Sequence, residues 1–120
     1  MYNRETSPLG IKSYSFAVRI VKMVKYLPTD YKLLSLYNQI LRSGTSISSN
    51  ISESQFAQSS ADFQNKLYIA LKEANETMNW LNLFKDTDII NEEQFKSMSS
   101  DCSELIAMLV SSIKTNKKNN

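Results

Sequence analysis

Hydrophobic residues return along this chain in alternating steps of four and three, the spacing that keeps one face of an α-helix apolar. From about Ile11 to Leu27 the pattern predicts a first helix, stopped by Pro28, whose ring and missing N–H do not suit a helix interior. Thr29 or Asp30 is placed to cap a second helix, about 30–56, with the seam Leu33, Tyr37, Ile40, Gly44, Ile47 and Ile51. The stretch Ser43 to Ser54 is rich in serine and by propensity reads as a loop. The seam passes through it in register, so the helix is expected to continue, with Gly44 marking the close approach of a neighbour; the alternative is that Gly44 breaks the helix. After the polar turn Ala57–Ser60, Ser59 and Asp62 make a variant capping box. The third helix, about 60–86, then carries Phe63, Leu67, Ala70, Ala74, Thr77, Leu81 and Phe84 on one face. Asn91 and Gln94 are spaced as a reciprocal cap for a fourth helix, about 92–115, with Glu92 and Glu93 at its positive end. Its buried stripe is Phe95, Met98, Cys102, Leu105, Leu109 and Ile113, and residues 1–10 and 116–120 read as loose ends.

Two glycines and two prolines are few breakers for 120 residues, which favours long helices joined by short turns. The resulting fold class is all-α: an antiparallel up-and-down four-helix bundle forming a single domain. More apolar surface is present than one such bundle uses. The first helix is apolar at ten positions between Tyr14 and Leu27, an arc wider than a normal core-facing stripe. The second helix adds Leu34, Leu36 and Leu41 outside its seam, and the third adds Tyr68, Ile69, Leu71, Met78 and Trp80. Patches of that size mark subunit interfaces, so the pattern by itself implies a homo-oligomer.

Composition narrows the chemistry. The absence of histidine removes Ser-His-Asp and Cys-His nucleophile pairs, imidazole metal ligands, and the Arg-x4–6-His motif of HEPN-type ribonuclease bundles. It also removes the Glu-x-x-His pairs of di-iron bundles, although Glu53, Glu73 and Glu76 supply carboxylates. The reading is therefore non-enzymatic, with no catalytic residue, no metal and no cofactor. A single cysteine, Cys102, lies on a core stripe and fits a reducing compartment. Arg19, Lys22 and Lys25 interrupt the apolar run of the first helix, so it is neither a secretory signal nor a membrane span, and a cytoplasmic location is expected. Residues 1–60 hold seven basic and three acidic side chains, whereas residues 61–120 hold seven and nine. No acid occurs between Thr6 and Thr29, where Lys12, Arg19, Lys22 and Lys25 form a basic stripe.

Residues 39–53 read Q-I-L-R-S-G-T-S-I-S-S-N-I-S-E, and residues 62–76 read D-F-Q-N-K-L-Y-I-A-L-K-E-A-N-E. Over about residues 11–115 the chain resembles the four-helix-bundle family of proteins encoded in intervening sequences of bacterial large-subunit ribosomal RNA. It is also similar to the accessory variability determinant of diversity-generating retroelements. The family motif is close to Q-I-R-R-A-A-x-S-I-P-S-N-I-A-E-G. Gln39, Ile40, Arg42, Ser46, Ile47, Ser49, Asn50, Ile51 and Glu53 match it, while Leu41, Ser48 and Ser54 depart from it. Phe63, Leu67, Ile69, Ala70, Ala74 and Glu76 match the family's second signature. The resemblance implies a homopentameric ring and, for the retroelement relatives, association with a reverse transcriptase and with nucleic acid through a basic outer surface.

Two sets of side chains stand out as candidate sites. Lys12, Arg19, Lys22 and Lys25, with Tyr26 for stacking and Lys114, Lys117 and Lys118 as an extension, form a candidate RNA- or DNA-binding face; a solvated helix face accounts for the same residues. Gln39, Arg42, Ser46, Asn50 and Glu53 with Glu76 form a polar cluster read as structural, the five donors of Arg42 offering Glu76 a two-toothed ion pair between helices or between subunits, with ligand binding as the alternative. Two functions follow: a nucleic-acid-associated accessory or scaffold protein, or an interaction module that binds another protein.

Overall fold

The computed structural model describes residues 7–118. Four helices, α1 (Pro8–Lys25), α2 (Leu34–Ser54), α3 (Ser60–Asp86) and α4 (Glu92–Lys118), account for the regular structure, with no strand among the described residues. Each helix packs on the next and α4 closes back on α1, giving a rod of 47 × 23 × 22 Å. Tyr37 meets the ring of Phe84 edge-on while Arg42, further along α2, meets Glu73, so α2 and α3 run in opposite directions.

Local chemistry sets the helix ends, and at several of them the chain departs from its sequence pattern. α1 begins at Pro8 rather than near Ile11, because the Ser7 hydroxyl accepts the Gly10 N–H at 3.2 Å and Pro8 occupies the first turn, where a missing N–H costs nothing. It ends at Lys25 rather than Leu27, with the Tyr26 N–H shared between two carbonyls ahead of Pro28. The second helix starts at Leu34, not 30. The Asp30 carboxylate accepts the Lys32 N–H at 3.0 Å and its carbonyl accepts the Leu33 N–H at 2.9 Å, which closes one isolated turn before α2. α2 stops at Ser54, leaving Phe56 exposed, and α4 runs on to Lys118, beyond 115. The loose ends expected at 1–6, 119 and 120 lie outside the described residues.

The caps at the far end are well formed. Asn91 and Gln94 exchange reciprocal hydrogen bonds of 2.8 Å at the start of α4, and Ser59 accepts the Asp62 N–H at 3.0 Å at the start of α3. α3 ends in a Schellman motif: Asp88 adopts φ 62°, the Ile89 N–H reaches the Phe84 carbonyl and the Asp88 N–H reaches that of Lys85.

The core follows the four seams. Phe16 and Ile20 of α1, Ile40, Ile47 and Ile51 of α2, Leu67, Leu81 and Phe84 of α3, and Cys102, Leu105 and Leu109 of α4 are all fully buried. α2 passes through Gly44 and the serine-rich segment without a break. A Cβ on Gly44 would stand 2.9 Å from both Cγ1 and Cγ2 of Ile20, so α1 and α2 meet there at backbone distance. One residue earlier, buried Ser43 shares a hydrogen bond with Thr77 of α3 at 2.9 Å, and Thr77 also reaches the Glu73 carbonyl of its own helix at 2.8 Å. The Tyr37 hydroxyl donates to the Pro28 carbonyl at 3.1 Å and pins the α1–α2 link.

This packing predicts the effect of Gly44→Ala. Helix propensity alone favours alanine by roughly 1 kcal/mol, but the Cγ atoms of a buried β-branched residue cannot swing aside, and overpacking of this kind costs about 1–3 kcal/mol. A net loss of stability in urea unfolding is expected, and Ile20→Ala in the same chain is expected to be less than additive because it removes the colliding atoms. A Gly44→Ala chain more stable than the parent would refute the close contact.

Candidate nucleic-acid interface

The basic stripe of α1 divides on folding. Lys12 pairs with Glu104 at 2.8 Å and with Asp101 at 3.3 Å, and Arg19 pairs with Asp101 while reaching Ser97 Oγ at 2.7 Å. Lys12 and Arg19 are seven residues apart, two helical turns, and Ser97, Asp101 and Glu104 are spaced by four and three beside the buried stripe of α4. The two rows therefore face each other along the α1–α4 seam. Burial alone would raise the Asp101 carboxyl, but hydrogen bonds from Arg19 and Lys12, with their charges, outweigh it and hold Asp101 below the ordinary carboxylate range. Lys12 is raised, chiefly by its hydrogen bond to Glu104.

Lys22 and Lys25 remain. Both are exposed in the last turn of α1, and neither has an acidic partner within 4 Å among the described residues. Tyr26, the next residue, is 82% exposed. Lys114, Lys117 and Lys118 do not extend this group. α4 is tied to the start of α3 there, with Asn116 donating to Gln64 at 2.6 Å, and Lys117 lies 5.4 Å from the Tyr68 ring centre. At 1.5 Å per residue, Lys117 sits about 30 Å along α4 from Ser97, the level of Arg19. The candidate basic residues are thus three sets: a paired row, a free tip on α1, and a second tip at the opposite end of the rod.

The polar cluster of α2 also assembles in part. Arg42 spreads its fork over two carboxylates one turn apart on α3, binding Glu73 at 3.0 Å through one nitrogen and Glu76 through the other. Its pKa is raised, first by the Glu76 hydrogen bond. Ser46 donates to the Arg42 carbonyl at 2.6 Å and Asn50 to the Ser46 carbonyl at 2.9 Å, so these side chains are bound to their own helix and not to α3. Glu53 stands apart, 3.9 Å from Lys66, and Gln39 lies one turn before Arg42, half-buried. Glu73, the less exposed of the two Arg42 partners at 14%, was not in the sequence-derived cluster. Its spacing of three from Glu76 was the available signal, as the seven-residue spacing of Lys12 and Arg19 was for Asp101.

Two further features bear on chemistry. Burial, followed by the charge of Asp101, pushes the Cys102 thiol up to about 12, and its sulfur lies 3.3 Å from the Ala74 carbonyl; a thiol so placed is not a nucleophile at neutral pH. On the outer side of α1, a groove of ≈ 590 Å³ runs between Tyr14, Ala17, Val18 and Val21 and the small residues Thr45, Ser48, Ser49 and Ser52 of α2. Lys22 and Lys25 stand at its rim. Ile11, Tyr14 and Val21 are each nearly half exposed, so the wide apolar arc of α1 does reach the surface. No described helix is long and apolar enough to cross a membrane.

Fold and side chains together define a class: an all-α four-helix bundle whose charged rows bind helix to helix and leave cations exposed at its ends. Residues 10–111 match the family model of the 23S rRNA-intervening sequence protein, and the chain belongs to that family. It is similar to a protein of unknown function from the S23 ribosomal protein family of Bacteroides thetaiotaomicron, known from a crystal structure. The two are 52% identical with a TM-score of 0.84, over 88% of this chain and 98% of that one. No curated protein matches the chain.

The ion pairs give two predictions. A carboxyl with a depressed folded pKa stabilises the protein fully above its unfolded pKa of about 3.9, and that contribution is lost as pH falls through the folded value. Asp101→Asn is therefore expected to lower stability by about 1 kcal/mol at pH 7, with the gap to the parent closing below about pH 4; a gap that persists at pH 2 would assign the effect to packing. Arg42→Ala is expected to cost more than Glu76→Ala, about 1–2 kcal/mol, because it strands the poorly exposed Glu73 carboxylate. Urea unfolding of the two variants side by side gives the order.

Proposed function

We propose that this protein is a non-enzymatic, self-associating four-helix bundle, an accessory or scaffold protein that binds nucleic-acid phosphates. The observation that carries this reading is the exposed end of α1, where Lys22 and Lys25 have no carboxylate partner within 4 Å among the described residues and flank an open groove. Lys12 and Arg19 serve the α1–α4 seam instead, so the phosphate-binding set is smaller than the full stripe. Cations left without an ion-pair partner attract polyanions with a strong salt dependence, and the half-exposed Tyr14 and Val21, which line one groove together with the small residues of α2, give another face of a second copy an apolar surface to cover. A contact between different faces of successive copies closes into a ring when the rotation allows it. The pentamer implied by the family resemblance is such a ring, and it would repeat the Lys22–Lys25 tip five times. Repetition converts a weak patch into an avid one wherever one nucleic acid reaches several copies.

The same groove supports a second reading, a module that docks another protein such as a reverse transcriptase without touching nucleic acid. Salt separates the two, since phosphate binding weakens steeply with ionic strength and apolar docking does not. Light scattering is expected to give a mass near five chains of 13.7 kDa, and Val21→Glu is expected to reduce it. Titration with labelled structured RNA and duplex DNA at two salt concentrations is expected to show salt-sensitive binding. Lys22→Glu with Lys25→Glu should weaken it about tenfold or more and flatten its salt dependence. An oligomer that binds neither ligand would favour the protein-docking module, and a monomer would remove the self-association.

A further inference from the structure

Beside the free cations, on the side of α1 away from the α2 groove, a cleft of ≈ 450 Å³ opens between the last turns of α1 and the first turns of α4. Its size falls at the lower end of the range for small-ligand sites, about 300–1000 Å³. The floor is apolar: Met23 of α1 and Leu27 just past its end, both half-buried, and Met98 of α4, which is 4% exposed. Tyr26 stands over the rim with 82% of its surface free. Lys22 supplies an exposed amino group at one edge, and Arg19, fixed by Asp101 and Ser97, a guanidinium beside it. Glu93 supplies a single carboxylate on the α4 wall, while Asn91 and Gln94 are committed to each other in the α4 cap.

We infer that this cleft takes one unpaired nucleotide, so that the protein binds single-stranded or looped RNA in preference to duplex. The inference rests on the nucleic-acid reading above and deepens it. The chemistry has three parts that a nucleotide alone combines. A flat apolar base fits the methionine and leucine floor and stacks on the Tyr26 ring, which is sequence-tolerant because every base has a π-face. The phosphate lies toward Lys22 at the cationic edge. The Glu93 carboxylate repels phosphate from the opposite wall and accepts hydrogen bonds from base N–H groups, which only an unpaired base presents on its Watson–Crick edge. A base pair hides both the faces and that edge, and a cleft of this size does not admit one.

The test compares a labelled unstructured 12-nucleotide RNA, the same strand in duplex form, and guanosine monophosphate, using fluorescence anisotropy for the first two and methyl NMR of Met23 and Met98 for the third. The single strand is expected to bind at least fivefold tighter than the duplex. Tyr26→Ala is expected to lose about fivefold or more for the single strand and little for the duplex, while Tyr26→Phe keeps the affinity. Tyr26 is a surface residue, and circular dichroism confirms that the variants fold. Shifts of the two methionine methyl signals with the mononucleotide but no strand binding would keep the nucleotide cleft and make a free nucleotide its ligand. Equal binding of single strand and duplex, both unaffected by Tyr26→Ala but weakened by Lys22→Glu with Lys25→Glu, would overturn the cleft and leave the phosphate reading standing. Absence of binding in every arm would overturn both.

Discussion

The second helix is held between two neighbours by residues that have almost no side chain. Gly44 lets Ile20 of α1 come to van der Waals contact with the α2 backbone, and on its other flank Ser43 reaches Thr77 of α3 through a single hydrogen bond. Bulkier residues at these positions would push α1 or α3 outward and open the bundle along its length. Buried hydroxyls are tolerated because each bonds to a carbonyl of its own helix or to the other hydroxyl. The serine-rich composition of α2 is thus a condition of close packing, and the helix it weakens by propensity is restored by the burial of Ile40, Ile47 and Ile51.

Charge is distributed around this packed centre in two different ways. Along the α1–α4 seam and the α2–α3 seam, cations and carboxylates meet in matched rows, Lys12 and Arg19 against Asp101 and Glu104, Arg42 against Glu73 and Glu76. Such half-exposed pairs add modest stability and fix which turn of one helix lies beside which turn of the next. At the end of α1 the opposite holds. Lys22, Lys25 and Tyr26 extend past the seam, where no ion pair holds either lysine among the described residues, and their charge and aromatic surface are exposed between an apolar groove and an apolar-floored cleft whose lining includes one carboxylate, Glu93. The first set is committed to holding helices together, and the second, with Glu93 alone among carboxylates lining the adjoining cleft, carries the proposed binding role.

Membership of the 23S rRNA-intervening sequence protein family agrees with what the residues say separately. The stretch that carries the resemblance, Gln39 to Glu53 with Phe63 to Glu76, lies on the α2–α3 pair: Gly44 and the Arg42 fork onto Glu73 and Glu76 fall within it, and Ser43 bonds to Thr77, the residue just past its end. What the motif encodes in this chain is therefore architecture first. The surface that carries the proposed binding lies on α1 and the start of α4, largely outside the motif.

The sequence alone determined the helical character of the chain, the seams that became the core, Gly44 as a point of close approach, and the reciprocal Asn91–Gln94 cap. All of these are local or periodic, governed by spacing of three and four along one helix or by neighbours within one turn. It misplaced several helix ends, because at Ser7, Asp30 and Tyr26 competing hydrogen bonds of similar strength decide the boundary. Only the tertiary structure decided which lysines are free. Lys12 and Lys22 read alike in sequence, both basic and both in the acid-free stretch of α1, and the difference between them is the presence of Asp101 and Glu104 some ninety residues later, brought opposite one and not the other by the antiparallel packing of α4. The cleft has the same origin, since Met23 and Met98 share a wall only after the chain has crossed the bundle three times.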